Sequence, residues 1–289
     1  MGFWLELAAS GLITGGIYAV VAVGLNLQYG LMRIMNISHG EFLMLGAYLT
    51  WLAHTTLGLN PFTLMPLVAL ALFVTGLAVY RLCFYRIARS APSVEVIEAR
   101  SLLVGFGLMF LVQNAAYLAW GADLRGYSYL AEPVEIAGAR FMANRLAVFG
   151  CAVALSLALL AVLRWTMLGK AVRAMMQSPT GAQLVGIDTG LLHPLVFGAG
   201  LALAGVAGGL LSMVYEISPS MGEPYTVTAL VVITLGGLGS VLGSLAGGLL
   251  LGLVEAFGMH FTSPSLKMVL SYGVLVAVLL ARPKGLFSR

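Results

Sequence analysis

Charge is what this chain has least of. Only 9% of its 289 residues are charged, against about 25% in soluble domains. A soluble protein so poor in charge would expose large apolar patches to water. No polar stretch exceeds a short loop, which excludes an independent soluble domain. Cysteine is scarce as well. Cys83 and Cys151 both lie in apolar runs and read as buried apolar thiols. No G-x-x-x-x-G-K-[ST] loop is present to cradle the phosphates of ATP. H-E-x-x-H, C-x-x-C and G-x-S-x-G are missing too. His39, His54, His193 and His260 are widely scattered, which argues against a metal site. Nothing assembles a nucleophile with a base. The formal net charge of +4 is small and offers no nucleic-acid surface. The first apolar run carries Glu6 rather than a basic start, and no small-residue cleavage site follows it.

What is present is apolar. Hydrophobic residues make up 60% of the chain, and the mean hydropathy is +0.99. The bilayer is the natural solvent for such a chain. A spanning helix needs about 20 apolar residues. The candidates are residues 5–27, 38–58, 62–82, 101–120, 145–165, 191–215 and 265–281. One further run, residues 225–257, is too long. A straight helix over it would reach about 50 Å, well beyond a hydrocarbon core of about 30 Å. It contains Gly236, Gly237 and Gly239, which weaken a helix and permit a turn. Two readings follow: two shorter segments meeting at a break, or one long tilted helix.

Charge placement bears on the choice. Arg81, Arg86, Arg89 and Arg100 flank one loop. Arg164, Lys170 and Arg173 lie in another, and Arg282, Lys284 and Arg289 close the chain. Lys and Arg in short loops mark the cytoplasmic side. Alternation puts the first two clusters on one side and the loop at about 121–144 on the other. The basic tail joins them only if residues 225–257 fold back at the glycines. Parity therefore favours the broken helix and an outside N-terminus. Small residues recur at helix-packing spacing: Gly11 with Gly15, Gly205 with Gly209, and Gly239, Gly243 and Gly247 in series.

Three polar clusters interrupt the apolar runs. Residues 29–41 place Arg33, Asn36, Ser38, His39 and Glu41 between two spans. Polar groups at that depth are expensive and usually face a cavity or a partner. Gly30 and Gly40 permit irregular backbone, which hydrocarbon tolerates only where protein or water satisfies it. Asn36, Ser38, His39 and Glu41 are the candidates to line a translocation path. For Arg33 an ordinary interfacial loop competes equally. Residues 216–225 form a second cluster, with two prolines and a glycine marking an outer loop that holds Glu216 and Glu223. Farther on, Glu255 and Lys267 are candidates to pair.

The third cluster is a basic island, GKAVRAMMQSPTGAQLVGID, over residues 169–188. Its first part is made of good helix formers. Ser178-Pro179 breaks the run, and Gly186 ends a second short helix. Val172, Met175 and Met176 form an apolar face; Lys170 and Arg173 form a basic one. Composition allows a helix on the membrane surface or a docking surface.

The spacing Thr180-Gly181-Ala182-x-x-x-Gly186 resembles the E-A-A-x-x-x-G loop by which ABC-importer permeases contact their ATPase. Thr180 and Gly181 stand where that loop has Glu and Ala. AVGLNLQYGLMRIMNISHGEFLMLGAY (residues 22–48) resembles the N-terminal signature of the branched-chain, hydrophobic amino-acid permeases of the LivH type. RAMMQSPTGAQLVGID (173–188), TALVVITLGGLGSVLGSLAGGLLLG (228–252) and ARPKGLF (281–287) match the same pattern, in order, over nearly the whole chain.

The resemblance implies an all-α integral membrane fold: a bundle of about eight transmembrane helices with broken or re-entrant segments and a cytoplasmic coupling helix. It implies a single permease domain over residues 1–289 in a bacterial inner membrane, with its coupling loop at about 166–190. Members of the family pair with a second, related permease and two cytoplasmic P-loop ATPases. They receive substrate from an external binding protein. Arg173, Ala174, Gln177, Ala182, Leu184, Gly186 and Ile187 would form the ATPase contact. This chain would then be no enzyme and carry no cofactor, with ATP and Mg on the partner ATPases. The competing class is a stand-alone secondary transporter or channel, and the same permease type also serves urea and amides.

Overall fold

The computed structural model describes residues 2–136, 138–283 and 285–287. Lys284 and Arg289, two of the basic residues expected to close the chain, lie outside them. The architecture is almost entirely helical. In order, the helices are α1 (Gly2–Met32), α2 (His39–Leu57), α3 (Pro61–Val79), α4 (Tyr85–Ser90), α5 (Val94–Trp120), α6 (Ala143–Trp165), α7 (Met167–Gln177), α8 (Pro179–Leu184), α9 (Thr189–Ser212), α10 (Gly222–Gly236), α11 (Val241–Phe261) and α12 (Lys267–Ala281). A π-helical turn, Tyr80–Phe84, joins α3 to α4. Six of the described segments are long and apolar enough to cross a membrane. The apolar helices α2, α10 and α12 are shorter or less hydropathic, so the expected count of about eight is close.

Arg81, Arg86, Arg89, Arg100, Arg164, Lys170, Arg173 and Arg282 sit at one end of the bundle, the basic end. The start of α1 lies at the opposite end, with the loop between α5 and α6. That loop holds a hairpin absent from the sequence reading, β1 (Pro133–Ile136) against β2 (Ala139–Met142). An Arg140–Glu135 ion pair of 2.7 Å crosses it, and Glu6 of α1 accepts from Arg140 N at 2.8 Å.

Two helices start inside the bundle. After α1 ends at the basic end, residues 33–38 climb back without helical structure. Met35 N reaches Ser101 Oγ at 3.0 Å, and His39 Nε2 reaches Val21 O at 3.1 Å, far up α1. From there α2 runs to the opposite end. The start of α10 lies against the start of α2: a side chain on Gly40 would strike Gly222 O and Thr226. From that crossing α10 runs to the basic end. The overlong run at 225–257 is therefore two helices. The chain turns at Gly237 and Gly239, both at positive φ (104° and 83°), and Ser240 caps α11 through Gly243 N at 3.0 Å. The last carbonyls of α10 find donors at the end of the chain, Leu286 N on Leu235 O (2.9 Å) and Phe287 N on Gly236 O (3.1 Å).

The core is built by α1 and α9, which are buried along most of their length. Glycines let their neighbours approach. Gly11 and Gly15 of α1 meet the backbone of α11 near Gly252 and Gly248, and Gly205 and Gly208 of α9 meet α3 and α2. Such contacts replace the hydrophobic drive that helices lack in lipid. By contrast α5 and α6 form the rim. Leu103, Leu111, Leu118 and Leu157 are exposed there, as hydrocarbon contact requires. Cys83, in the π-helical turn, and Cys151, on the rim helix α6, are half-buried rather than fully buried. We expect Gly248→Leu to destabilise the fold by about 1–3 kcal/mol through overpacking. Gly150→Leu, where an added Cβ meets nothing within 4 Å, should stay within about 0.5 kcal/mol of the parent. Thermal unfolding of the detergent-solubilised protein checks both.

Candidate functional site

Irregular backbone in the bundle interior needs partners for every polar group. In residues 33–38 Arg33 N donates to Tyr29 O at 2.8 Å and Met35 N to Ser101 Oγ at 3.0 Å, and amide side chains brace the segment against its neighbours. Gln28 of α1 donates to Phe197 O of α9 at 3.1 Å and accepts from Asn36 Nδ2 at 3.1 Å. Asn36 in turn accepts from Ser38 Oγ at 2.7 Å. The carbonyl of Val21 only accepts, so His39 Nε2 must carry the hydrogen between them. Gly40 N donates to Thr226 Oγ1 of α10 at 2.8 Å. The same device closes the glycine turn below. Asn26 Nδ2 donates to Ser240 O (3.0 Å) and Ser244 Oγ (2.6 Å), and its Oδ1 accepts from Gly239 N at 2.6 Å.

Of the expected path residues, Asn36, Ser38 and His39 are thus brought into one network, all buried. Glu41 stands apart. It is fully buried beside Gly222, and neither carboxylate oxygen has a hydrogen-bond partner among the described residues. Asn26 and Gln28 did not figure among the sequence candidates. Two amides inside an otherwise apolar span were the available signal. Arg33 is exposed at the basic end, where its guanidinium reaches the Tyr29 hydroxyl at 3.3 Å and Tyr29 donates to Glu98 at 2.7 Å.

The basic island folds as a capped pair of short helices. Thr166 Oγ1 caps α7 through Gly169 N (3.0 Å), and Ser178 Oγ caps α8 through Gly181 N (3.1 Å). Asp188 caps α9 through Gly190 N at 2.7 Å. Gly186 between α8 and α9 has φ 86°, which L side chains rarely adopt. The apolar face of α7, Val172 and Met175, is buried against this chain's own bundle, and Met176 lies over Gly30 of α1.

The seven residues expected at an ATPase contact divide. Arg173, Gln177, Leu184 and Gly186 are exposed, Ala174 and Ile187 are half-buried, and Ala182 is buried. Arg173 also turns back along α6, donating to Arg164 O at 3.4 Å. Leu184 and Val185 together form an apolar knob, 84% and 77% exposed, at the basic end.

A third cluster lies toward the opposite end. Glu255 of α11 is buried and accepts from Tyr18 of α1 at 2.8 Å and from Ser271 of α12 at 2.6 Å. Lys267 Nζ lies 3.4 Å from it. Among the described residues no group of three or more His, Cys, Asp or Glu side chains is placed to hold a metal ion.

Residues 7–279, which include all three clusters, match the family described as branched-chain amino acid transport system, permease component. The chain belongs to that family. The BraD permease protein of a high-affinity branched-chain amino acid transport system in Pseudomonas aeruginosa is 32% identical over 295 residues. That match covers 99% of this chain and 96% of BraD. The corresponding LivH protein of Escherichia coli is 29% identical with the same coverage. LivM of Salmonella typhimurium, also a permease protein of such a system, is 26% identical across 93% of this chain and 67% of its own. The permease is thus a multi-pass membrane protein that BraD and LivH match over 99% of its length.

In this permease Asn26 is the amide that both sides of the glycine turn depend on. Asn26→Leu leaves the half-buried Gly239 N–H without its acceptor, a cost of about 1 kcal/mol. The expected result is normal membrane insertion with a lowered thermal transition, read by melting of the purified protein beside a Leu27→Ile control.

Proposed function

We propose that this permease is one of two related membrane subunits of an ATP-driven importer. It carries branched-chain or other hydrophobic amino acids inward across a bacterial inner membrane by alternating access. Two cytoplasmic P-loop ATPases supply the energy, binding ATP and Mg, and an external binding protein delivers the substrate. The chain itself performs no chemistry and needs no cofactor of its own. The whole chain serves as one permease domain, with residues 166–190 as its coupling loop.

The observation that carries the reading is the α7–α8 pair with its exposed Leu184–Val185 knob. An apolar pair so exposed at the basic end of a permease is suited to a cleft in a soluble partner. Positive side chains mark that end as cytoplasmic, where ATPases would sit. Residues Arg173, Gln177, Leu184 and Gly186 form the outer surface of the contact; Ala174, Ala182 and Ile187 hold its shape from beneath. Thr180 gives a neutral surface where related loops carry an acidic residue, so the contact rests on shape and apolar area more than on an ion pair.

Movement of the knob has a route into the bundle. Met176 packs on Gly30, and Gly30 packs on Gly239 at the glycine turn. A displacement of α7 therefore bears on the inner ends of α1, α10 and α11 at once. Closure of the ATPases on ATP biases this two-state element. The α2–α10 crossing, with Asn36, Ser38, His39 and Glu41, then adjoins the path that opens and closes.

The substrate class follows that named for the relatives, and the apolar composition of the bundle suits aliphatic side chains. Leu184→Asp with Val185→Asp should leave insertion and helix content intact, abolish co-purification of the ATPases, and reduce ATP-driven uptake in proteoliposomes at least tenfold. Uptake driven by an ion gradient without nucleotide would sink the proposal.

A further inference from the structure

Between α10, α11 and α12 lies a cavity of about 390 Å³, within the range of small-molecule sites. Its lining includes Ser220, Glu223, Val227, Val231, Lys267 and Met268. Glu255 closes its back wall, already engaged by Tyr18 and Ser271. Lys267, the first residue of α12, stands between that buried carboxylate and the open space. An ammonium carries three donors, and Glu255 is its one ion-pair partner among the described residues. The Tyr18 ring, 5.5 Å away, adds a second favourable surface for its charge. Glu223 is exposed in the first turn of α10 and has no ion pair among the described residues. The cavity therefore presents a carboxylate without a partner, an ammonium with donors to spare, and an aliphatic wall of Val227, Val231 and Met268.

Those three features complement one chemistry. We propose that this cavity binds a zwitterionic amino acid with an aliphatic side chain. Glu223 takes the ammonium, Lys267 the carboxylate, and the valines with Met268 the side chain. The position supports the assignment. Glu223 belongs to a helix that starts inside the bundle, and Tyr18, which borders the cluster, lies about halfway along α1. Open charges at that depth are too costly to face hydrocarbon, so the mouth of the cavity must meet water or protein. Glu255 is a positioning residue here. It fixes Lys267 from behind and joins α1, α11 and α12, so it is unsuitable for substitution.

This site rests on the transport reading above, and the experiment separates the two. The complete transporter, in nanodiscs without its binding protein, is titrated with labelled L-leucine. Isocaproate, which lacks the ammonium, and isoamylamine, which lacks the carboxylate, serve as competitors. The wild-type complex is expected to bind leucine saturably and prefer it to both. Glu223→Gln should weaken leucine binding about tenfold and shrink the preference over isocaproate. Lys267→Met should shrink the preference over isoamylamine. Glu223 is exposed, so its variant keeps the test alive if Lys267→Met fails to assemble. Unchanged affinity and discrimination in Glu223→Gln overturn the site, and ATP-driven leucine uptake by the same complex would leave the transport reading standing. A wild-type complex with no saturable leucine binding overturns the site as well.

Discussion

A backbone N–H or C=O without a partner costs several kcal/mol inside hydrocarbon, and the rest of this permease is arranged around six residues that risk it. Residues 33–38 cross part of the bundle without helical hydrogen bonds. Around them Gln28, Asn36, Ser38 and His39 tie the segment to α1 and α9, while Ser101 reaches it from α5. Because those partners come from separate helices, the segment fixes where α1, α5 and α9 stand relative to one another. It also lets α2 begin in mid-bundle, which is the condition for α10 to begin there too.

Close packing is the second constraint, and it follows from the first. Two helix starts can share one depth only if neither carries bulk at the crossing, and Gly40 and Gly222 supply that. The same economy recurs where α1 lies along α11. In lipid these contacts have to be made by shape, so a chain with 36 glycines is better suited to the task than one with more leucine. The arrangement leaves the carboxylate of Glu41, which stands outside the amide network, enclosed beside the crossing with neither oxygen partnered among the described residues.

Much of this was legible in the sequence because it depended on length and local chemistry. The arithmetic of a bilayer span exposed the break at Gly236, Gly237 and Gly239, and charge parity agreed with it. The break at Ser178-Pro179 and the glycine at 186 bounded the short helices correctly. What escaped depends on who covers whom. Periodicity identified Val172 and Met175 as an apolar face but could not say that α7's own bundle covers it. It therefore did not single out Val185, which stands beside Leu184 outside. The β1–β2 hairpin is two short strands pinned by Glu6 from the far end of the chain, a contact no local pattern encodes. Asn26 and Gln28 were passed over because a single amide in a long apolar run has little weight until its partners, Gly239 and Phe197, are known.

The C-terminal segment has a temporal meaning. The final carbonyls of α10 are closed by Leu286 and Phe287, which follow both α11 and α12 in the chain. Until synthesis delivers them, the inner end of α10 has no such donors, and it lies beside the turn that Asn26 and Gly30 hold against α1. Helix α10 thus starts against an earlier helix, α2, and is finished by residues made after α11 and α12.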